Sequence, residues 1–365
     1  MIVNVNLGSI RLKSLLDALT MSESIASAAA DQPSPVKRAG RRVWSYTPEL
    51  PVTQAPYFEL PFSLGESLRY LFDVWRPFNQ RFLILLIAIA AWSWFTPSLE
   101  RAREFQFDWM LEIGLRNLVI VLVVAGGLHL LLFTFSRQGD NTRYDARPLA
   151  RNSKQFHFGN QVWDNMFWTL FGAVPIGTLW ECLLLWGYAN GHVTMISFAE
   201  NPGWFVGWML IIPLWSGLHF YWYHRLLHIG PLYRWFHSWH HKNINTGPWS
   251  GHAMHPLEHL FLYSDVAIHW LVASHPVHVI FNAMLHTIAG PTSHCGYHEV
   301  KLTRFFSLKL GDFMHQLHHR YFDCNYGSYE TPWDKIFGSF HDGTEAGNEY
   351  IKERRRRMFE KKNAA

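Results

Sequence analysis

Long apolar stretches alternate with polar segments over the first two thirds of this 365-residue chain. Four of these stretches are candidate membrane spans, because about 20 apolar residues cross a hydrocarbon core of about 30 Å. They cover residues 82–96, 118–135, 166–188 and 204–223. The pattern therefore predicts an all-α integral membrane protein with about four transmembrane helices.

A fifth apolar region, residues 260–290, is interrupted by polar and helix-breaking residues. These are Asp265, His269, His275, Pro276, His278 and His286. We interpret the region as a helical hairpin that dips into the membrane or packs on its surface. The alternative is a buried hairpin of a soluble domain.

The same pattern divides the chain into four parts. Residues 1–75 are expected to form an N-terminal tail, with an interfacial helix near residues 62–76, and residues 76–223 the transmembrane helices. Residues 224–343 form a histidine-rich cap that includes the hairpin 260–290. Residues 344–365 form a basic tail that either holds anionic lipid headgroups or is solvated. Residues 1–20 lack a sustained apolar core, so we expect no cleaved signal peptide.

Composition supports a membrane protein and excludes several classes. Charged residues make up only 16% of the chain and aromatic residues another 16%, which argues against a disordered chain. The net charge of +4 is small, and the basic residues share no periodic face, so we expect no nucleic-acid partner.

The Lys and Arg counts predict the orientation in the membrane. They number 9 in residues 1–81, 3 in 97–117, 5 in 136–165, none in 189–203 and 15 in 224–365. The positive-inside rule then places both termini and the histidine-rich cap on the cytoplasmic side. The membrane would be the endoplasmic reticulum in a eukaryote or the inner membrane in a bacterium.

Histidine is the unusual residue type. The chain has 22 histidines, and 19 of them lie between positions 219 and 341. Four clusters stand out: His224 with His228; His237, His240 and His241; His294 with His298; and His315, His318 and His319. The three cysteines form no CxxC motif, which excludes a thiolate metal site.

The spacing of these clusters suits two metal ions. Helix positions i and i+3 or i+4 share a face, so each HxxxH or HxxHH can offer two rings to one ion. Adjacent histidines point about 100° apart around a helix and can serve different ions. Ten imidazoles give about five for each of two ions, and imidazole suits iron, zinc, copper and nickel.

These boxes resemble the fatty acid hydroxylase/sterol desaturase superfamily. The resemblance includes His-Pro-Leu-Glu at residues 255–258, Asn325-Tyr326-Gly327 and the run from Trp333 to Gly338, and covers roughly residues 204–343. It implies four membrane helices with a cytosolic helical cap that holds a dimetal site.

By position, the resemblance implies ten ligands. They are His224, His228, His237, His240, His241, His294, His298, His315, His318 and His319. His294 and His298 lie in a box that varies, and either His286 or His255 could replace one of them. Residues expected to orient the ligands include His255, Glu258 and Asp312, with Asp323 and Asp334 as further candidates.

The chain departs from the family pattern at one position. Many members carry an acidic residue seven positions before the first box, where this chain has Gly217. His219 is a nearby polar residue that either substitutes locally or lies at the membrane interface. The hydrogen bond that usually orients a metal-bound imidazole is therefore in question.

The activity implied by the resemblance is an O2-dependent oxidation of a lipid by two iron ions, with zinc as an occupant acquired on purification. The substrate is expected to enter from the bilayer. Electrons would come from NAD(P)H through an external cytochrome b5 or ferredoxin-type carrier, because no fused cytochrome b5 domain is visible in the sequence.

Hydroxylation of an aliphatic carbon of a fatty acyl chain, sterol or related lipid is the favoured reaction, and desaturation at the same site is the alternative. The rivals from other classes are a non-catalytic metal-binding membrane protein and a bis-histidine haem cytochrome. The chain has no HExxH motif, which excludes a zinc protease of that type.

Overall fold

The computed structural model describes residues 44–363. We number its longer helices in chain order. They are α1 (Leu64–Trp75), α2 (Gln80–Phe95), α3 (Phe107–Thr134), α4 (Gln161–Ala189), α5 (Pro202–Leu227), α6 (residues 230–241), α7 (Pro256–Leu262), α8 (Pro276–Ser293), α9 (Phe313–Tyr321), α10 (Trp333–Ile336) and α11 (Glu345–Asn363).

Shorter 3-10 turns lie before and between these helices, and π-helical turns lie within three of them. The 3-10 turns are Pro56–Phe58, Arg101–Arg103, Pro248–His252 and Tyr263–Trp270, and the π-helical turns are Leu122–Gly126, Leu130–Thr134, Thr169–Ala173 and Tyr233–His237. Two short strands, β1 (Glu299–Lys301) and β2 (Ser307–Lys309), pair antiparallel with Val300 opposite Leu308. The helical architecture confirms the all-α prediction.

Three helices are long and apolar enough to cross a membrane, namely α3, α4 and α5. A fourth span results if α1 and α2, which meet at a bend of 48°, count as one. Ser63 caps α1. Leu64, Leu68 and Phe72, each four residues from the next, lie exposed along one face of this helix. An exposed apolar face is what the interfacial helix predicted near residues 62–76 requires, and its position at a membrane surface stays a prediction.

The second span begins earlier than the sequence indicated. It starts at Phe107 rather than near residue 118, so Arg116 lies inside the helix and not at its end. Arg116 forms a buried ion pair with Glu181 of α4, and Asn117 and Thr178 hydrogen-bond beside it. An apolar span tolerates the guanidinium because its charge is paired.

The hairpin predicted at residues 260–290 is formed by α7, the turn Tyr263–Trp270 and α8. Its tip reaches the loop that joins α4 to α5: the Ser274 backbone N–H donates to the Thr194 carbonyl, and the Trp204 indole donates to the Ala273 carbonyl at 2.9 Å. The hairpin therefore runs the full length of the bundle beside the spans.

Helix α8 lies inside the helix bundle. Its residues Val277, Ile280, Phe281 and Met284 are buried against α2 and α5, together with a small-residue stripe that includes Ala88. Small side chains let neighbouring helices approach closely in membranes. This packing places the C-terminal end of α8 beside that of α5, and both ends carry histidines.

The terminal predictions have different outcomes. The tail over residues 1–43 lies outside the described residues. The basic C-terminal segment forms helix α11, which buries Ile351 and pairs Arg355 with Asp323 at 2.8 Å. Part of its charge therefore interacts with the cap.

Candidate metal centre

The clustered histidines come from four places in the fold. His224 lies in the last turn of α5 and His228 is its C-cap residue, with φ −78° and ψ −1°. Because the cap keeps helical dihedral angles, both rings remain on one face. Helices α6 and α9 carry the two HxxHH boxes, and His294 is the C-cap of α8.

Nine of the ten predicted residues form two groups of ring nitrogens. Within each group, one nitrogen from every residue lies within 4.8 Å of all the others. The first group is His224, His228, His237, His241 and His318; the second is His240, His294, His315 and His319. Each adjacent pair of the HxxHH boxes is divided between the two groups, as the 100° step around a helix requires.

The acceptors around Nδ1 set the tautomers of several rings. His224 Nδ1 donates to the Tyr326 carbonyl at 2.6 Å, His318 Nδ1 to the Cys324 carbonyl at 2.6 Å, and His294 Nδ1 to the Gly290 carbonyl at 2.9 Å. A carbonyl only accepts, so these rings carry their proton on Nδ1. Their Nε2 atoms are left as lone pairs that face the centre of each group.

These lone pairs face one another at short range. The Nε2 atoms of His224 and His237 are 3.1 Å apart, and those of His294 and His315 are 3.0 Å apart. When Glu258 is ionised, it accepts from His237 Nδ1 at 2.6 Å, and neither His224 nor His237 then has a proton to place between them. Two opposed lone pairs repel unless a cation lies between them, and the donor set therefore fits a metal ion.

Burial keeps the imidazoles neutral. It lowers the pKa values of His237, His240 and His319 well below the ordinary value, and that of His294 to about 3. The neutral ring is the form that binds metals. Burial also raises the pKa of Glu258, which the positive charge of a metal at His237 would counteract.

His298 is not among the nine. The prediction assumed a helix across residues 294–298, but α8 ends at Ser293 and Gly296, at φ +81°, turns the chain away. The segment then pairs with residues 142–144 and 311, and His298 Nδ1 lies 3.2 Å from the Tyr144 hydroxyl. The rule for positions i and i+4 does not apply once the helix has ended.

The residues expected to orient the ligands have different roles. Glu258 contacts His237 directly, and Asp312 Oδ1 caps α9 by accepting from the His315 backbone N–H at 3.0 Å. His255 caps α7 through its Nδ1 and packs on Phe236 and Trp239. Neither His255 nor His286 belongs to the two nitrogen groups.

The structure explains the departure at Gly217. No carboxylate is available at this position, and His224 Nδ1 donates to the Tyr326 carbonyl instead of to an acid. A Cβ at position 217 would lie 3.2 Å from Thr331 and 3.3 Å from Ser328, so the position is closely packed. His219 contacts Ser264 at 3.0 Å and does not substitute for the acid.

The sequence indicated Asp334 as a candidate for orienting the ligands, but it did not reveal the carbonyl acceptors that Asp334 and Asn325 hold in place. Asp334 is fully buried and accepts from the backbone N–H groups of Tyr326 and Gly327 at 2.9 and 2.8 Å. Asn325, at φ +52°, bridges the Met314 and His341 carbonyls. The Asn-Tyr-Gly and Trp-Asp-Lys motifs were the available signal, although neither shows which carbonyl meets which ring.

A cavity of about 470 Å³ adjoins both nitrogen groups. Its lining includes His224 and His237 of the first group and His240, His294 and His315 of the second. From there it extends between α2, α5 and α8, past Phe220, Leu262 and Leu285. This volume lies within the ordinary range of small-molecule sites.

Comparisons with known proteins agree with this site. Residues 208–339 match the fatty acid hydroxylase family. The chain is 31% identical to a Delta(7)-sterol 5(6)-desaturase of Gibberella zeae over 46% of this chain and 53% of that protein. It is 34% identical to a cholesterol 25-hydroxylase-like protein of Danio rerio, over 45% of this chain and 72% of the relative. No solved structure gives a significant match.

A longer match extends beyond the histidine boxes into the membrane helices. Lathosterol oxidase of Rattus norvegicus is 30% identical over 271 residues, which cover 70% of this chain and 84% of that protein. Family match and relatives together confirm the resemblance that the histidine boxes indicated. The chain therefore belongs to the fatty acid hydroxylase/sterol desaturase superfamily of membrane-bound lipid oxidoreductases.

Proposed function

We propose that this protein is an O2-dependent oxidoreductase that hydroxylates an aliphatic carbon of a membrane lipid at a di-iron centre. Two iron ions, when bound, supply the oxygen activation that cleavage of an unactivated C–H bond needs. The balanced reaction consumes the lipid C–H, one O2, two electrons and two protons, and it yields C–OH and one water.

The observation that carries the proposal is the convergence of nine ring nitrogens, from eight buried histidines and the half-buried His228, into two adjoining groups. The histidines of each group would hold one ion through neutral imidazole nitrogens. The ligand set is nitrogen-rich, which suits iron and also zinc, so zinc is an expected contaminant after purification.

The chain's own residues position the ligands and the substrate. Glu258 and the Tyr326 carbonyl fix the rings of His237 and His224 through Nδ1. Phe220, Leu262 and Leu285 give the cavity apolar walls next to the histidines, which exclude water and guide an alkyl or ring substrate toward them. The position of the substrate carbon relative to the two groups would decide the site of oxidation.

Desaturation by the same site is the alternative product. Two relatives carry names that describe desaturation or oxidation of sterols, and a third is named for hydroxylation. Both reactions begin with removal of one hydrogen from an aliphatic carbon. They differ in whether an oxygen is then added or a second hydrogen is lost.

The proposal includes partners and an orientation. Electrons would arrive from NAD(P)H through a separate cytochrome b5 or ferredoxin-type protein. The histidine-rich cap and both termini would face the cytoplasm, in the endoplasmic reticulum of a eukaryote or the inner membrane of a bacterium, in agreement with the distribution of Lys and Arg.

The test measures metal and product on the same preparation. Protein purified in mild detergent is analysed for bound metals, then supplied with ferrous iron, a reductant, O2 and a total lipid extract. We expect two metal ions per chain and an O2-dependent gain of one oxygen atom on one lipid class, detected by mass spectrometry.

Two variants make the result specific. His240→Ala should lower the metal content and abolish the product, whereas His192→Ala, on the loop after α4, should change neither. Loss of two hydrogens from a lipid would identify a desaturase. Stoichiometric metal without product, when several electron donors are supplied, would favour a non-catalytic metal-binding protein. Absence of bound metal in folded protein would refute the proposal.

A further inference from the structure

A polar site lies in the wall of the same cavity, away from the two nitrogen groups. Ser216 of α5 and His286 of α8 both line the cavity. His286 Nε2 lies 2.7 Å from Asp265 Oδ2, and Ser216 Oγ lies 3.2 Å from the same oxygen. Asn282 also donates to it. Asp265 is fully buried and His286 is 9% exposed, so the network is enclosed within the helix bundle.

The hydrogen bonds assign the protons of this network. Asp265 Oδ2 faces three neighbours, the Asn282 amide, the Ser216 hydroxyl and the His286 ring. An ionised carboxylate accepts from all three, and His286 then carries its proton on Nε2. Nδ1 of His286 is left as a lone pair, and it has no hydrogen-bond partner among the described side chains and backbone.

Two helices independently show how far the polar site lies from the histidine groups. His286 lies eight residues before His294 on α8, and Ser216 lies eight residues before His224 on α5. At 1.5 Å per residue, each separation is about 12 Å along the helix axis. Two independent helices thus place the polar site at the same depth below the two histidine groups.

A polar group at this depth is costly unless it has a partner. The surrounding cavity wall is largely apolar, with Ile84, Pro213 and Leu285 nearby. Buried acceptors without a donor lose the free energy of solvation, whereas a ligand hydroxyl would restore a hydrogen bond. His286 lines this cavity, and Nδ1 is the ring nitrogen that its contacts with Asp265 and Ser216 leave available.

We propose that His286 Nδ1 accepts a hydrogen bond from a free hydroxyl group of the lipid substrate and so sets which carbon reaches the histidine groups. Asp265 is a positioning residue that holds the His286 ring and its tautomer. The inference rests on the proposed function and deepens it: the substrate is a lipid alcohol whose hydroxyl binds about 12 Å, along the helix axes, from the histidine groups.

Equilibrium binding of tritiated probes tests this without turnover. The full chain, with the metal that it retains, is titrated under argon and without reductant with cholesterol, its 3-methyl ether and its 3-ketone. Hexadecanol and its methyl ether form a second arm, which separates a sterol alcohol from a chain alcohol. We expect the alcohol of the preferred scaffold to bind roughly five- to tenfold more tightly than its ether, and the ketone to bind as weakly as the ether.

Variants test whether Asp265 and His286 cause the preference for the alcohol over its ether. His286→Phe should reduce the alcohol-to-ether ratio to about one, and Asp265→Asn should reduce it in the same direction. His278→Gln is the matched control, because His278 lies on the same helix, is buried against the Phe205 carbonyl and does not line the cavity. It should preserve the wild-type ratio.

The outcomes separate this inference from the proposed function. Equal binding of alcohol, ether and ketone to the wild-type protein in both arms would overturn the hydroxyl site, and this comparison requires no variant to fold. An equal loss of selectivity in His278→Gln would overturn it as well. Absence of metal, measured on the same samples, would overturn the proposed function, while a persisting alcohol preference would still support the hydroxyl site.

Discussion

At the residue scale, the group that accepts a hydrogen bond from each Nδ1 atom determines the tautomer and the basicity of that histidine. His237 relies on the only carboxylate seen to contact a grouped imidazole within residues 44–363, that of Glu258. The other fixed rings rely on backbone carbonyls. A carboxylate partner makes the ligand more basic, and replacing it changes the affinity for metal more than the fold.

Glu258→Gln should therefore weaken iron binding about 10- to 100-fold while the protein stays folded. The glutamine keeps the size of the side chain but has no charge to stabilise the His237 Nδ1–H. Iron affinity is measured by competition with a chelator. Asp323→Asn, which alters a surface pair with Arg355, is the control and should leave the affinity unchanged. Equal affinities for Glu258→Gln and wild type would contradict the assigned role.

His294 and His298 make a second comparison at this scale. His294 belongs to the second nitrogen group, whereas His298 lies beside Tyr144. We expect His294→Ala to lose about one metal ion per chain and His298→Ala to keep both. Metal analysis of the purified variants checks this. Loss of metal in His298→Ala alone would show that the ring moves into the site.

The buried imidazoles also predict how stability depends on pH in metal-free protein. Burial lowers the pKa of His294 to about 3 and those of His240 and His319 well below normal, whereas the unfolded chain titrates near 6.5. Between these values the unfolded state binds more protons, so stability falls as the pH falls below about 6.5.

Each such histidine contributes up to about 1.4 kcal/mol per pH unit in that window. Thermal unfolding in detergent, followed from pH 7.5 to pH 5, should show a falling midpoint for metal-free protein. Metal-loaded protein should resist the change until protons displace the metal. A flat profile for the metal-free protein would mean that the rings become solvated once the metal leaves.

At the scale of secondary-structure elements, the position of a helix end determines whether the histidines of one box lie on the same helix. The HxxHH boxes lie within helices, and their adjacent histidines separate into two groups as expected from the helical step. The HxxxH at residues 294–298 does not lie on one helix, because α8 ends at Ser293, and only His294 belongs to a nitrogen group. Gly296 follows the end of α8 at φ +81°, and a Cβ at Gly251 would lie 2.2 Å from the Gly290 carbonyl oxygen, so both positions need glycine for reasons that spacing alone does not show.

The ion pair between α3 and α4 gives a prediction for the spans themselves. Glu181→Leu leaves Arg116 buried without its partner, which should cost about 3–5 kcal/mol, whereas the double variant Arg116→Leu/Glu181→Leu should lose far less. Thermal unfolding of the three proteins in one detergent measures the difference. Equal destabilisation of the single and double variants would show that the charge pair is not the cause.

At the scale of the whole molecule, the hairpin of α7 and α8 joins the two ends of the bundle. Its tip contacts the loop after α4, and its C-terminal end delivers His294 to the metal groups. Hydropathy alone left three possibilities: a segment that dips into the membrane, one that packs on its surface, or a buried hairpin of a soluble domain. The structure shows the hairpin packed along the bundle, with polar residues that interrupt it facing buried partners such as Ser216 and Ser274, and its position relative to a membrane stays a prediction.

Cysteine labelling tests this arrangement in intact membranes. Leu271, at the hairpin tip, is 85% exposed, and the three native cysteines are buried. Leu271→Cys should react with a membrane-impermeant maleimide from the side opposite to Lys154→Cys, which lies on the loop between α3 and α4. Labelling of both from the same side would contradict a hairpin that reaches the far end of the spans.

The local pattern was enough to predict the membrane helices and the histidine boxes, because each depends on residues a few positions apart, whereas the family resemblance indicated Glu258. Apolar length indicates a span, and three- or four-residue spacing places two rings on one helix face. The structure added that Arg116 belongs inside a span, that His298 turns away, and that the Tyr326 and Cys324 carbonyls orient two of the rings.

Those additions share a physical cause. Each is a contact between segments far apart in the chain, such as Tyr326 with His224 or Asp265 with His286. Local periodicity reports which face a side chain occupies, but it carries no information on what the opposing segment offers there. The sequence by itself determined which residue types are available as ligands. The packing of the helices determined their hydrogen-bond partners, their tautomers and the depth of the cavity.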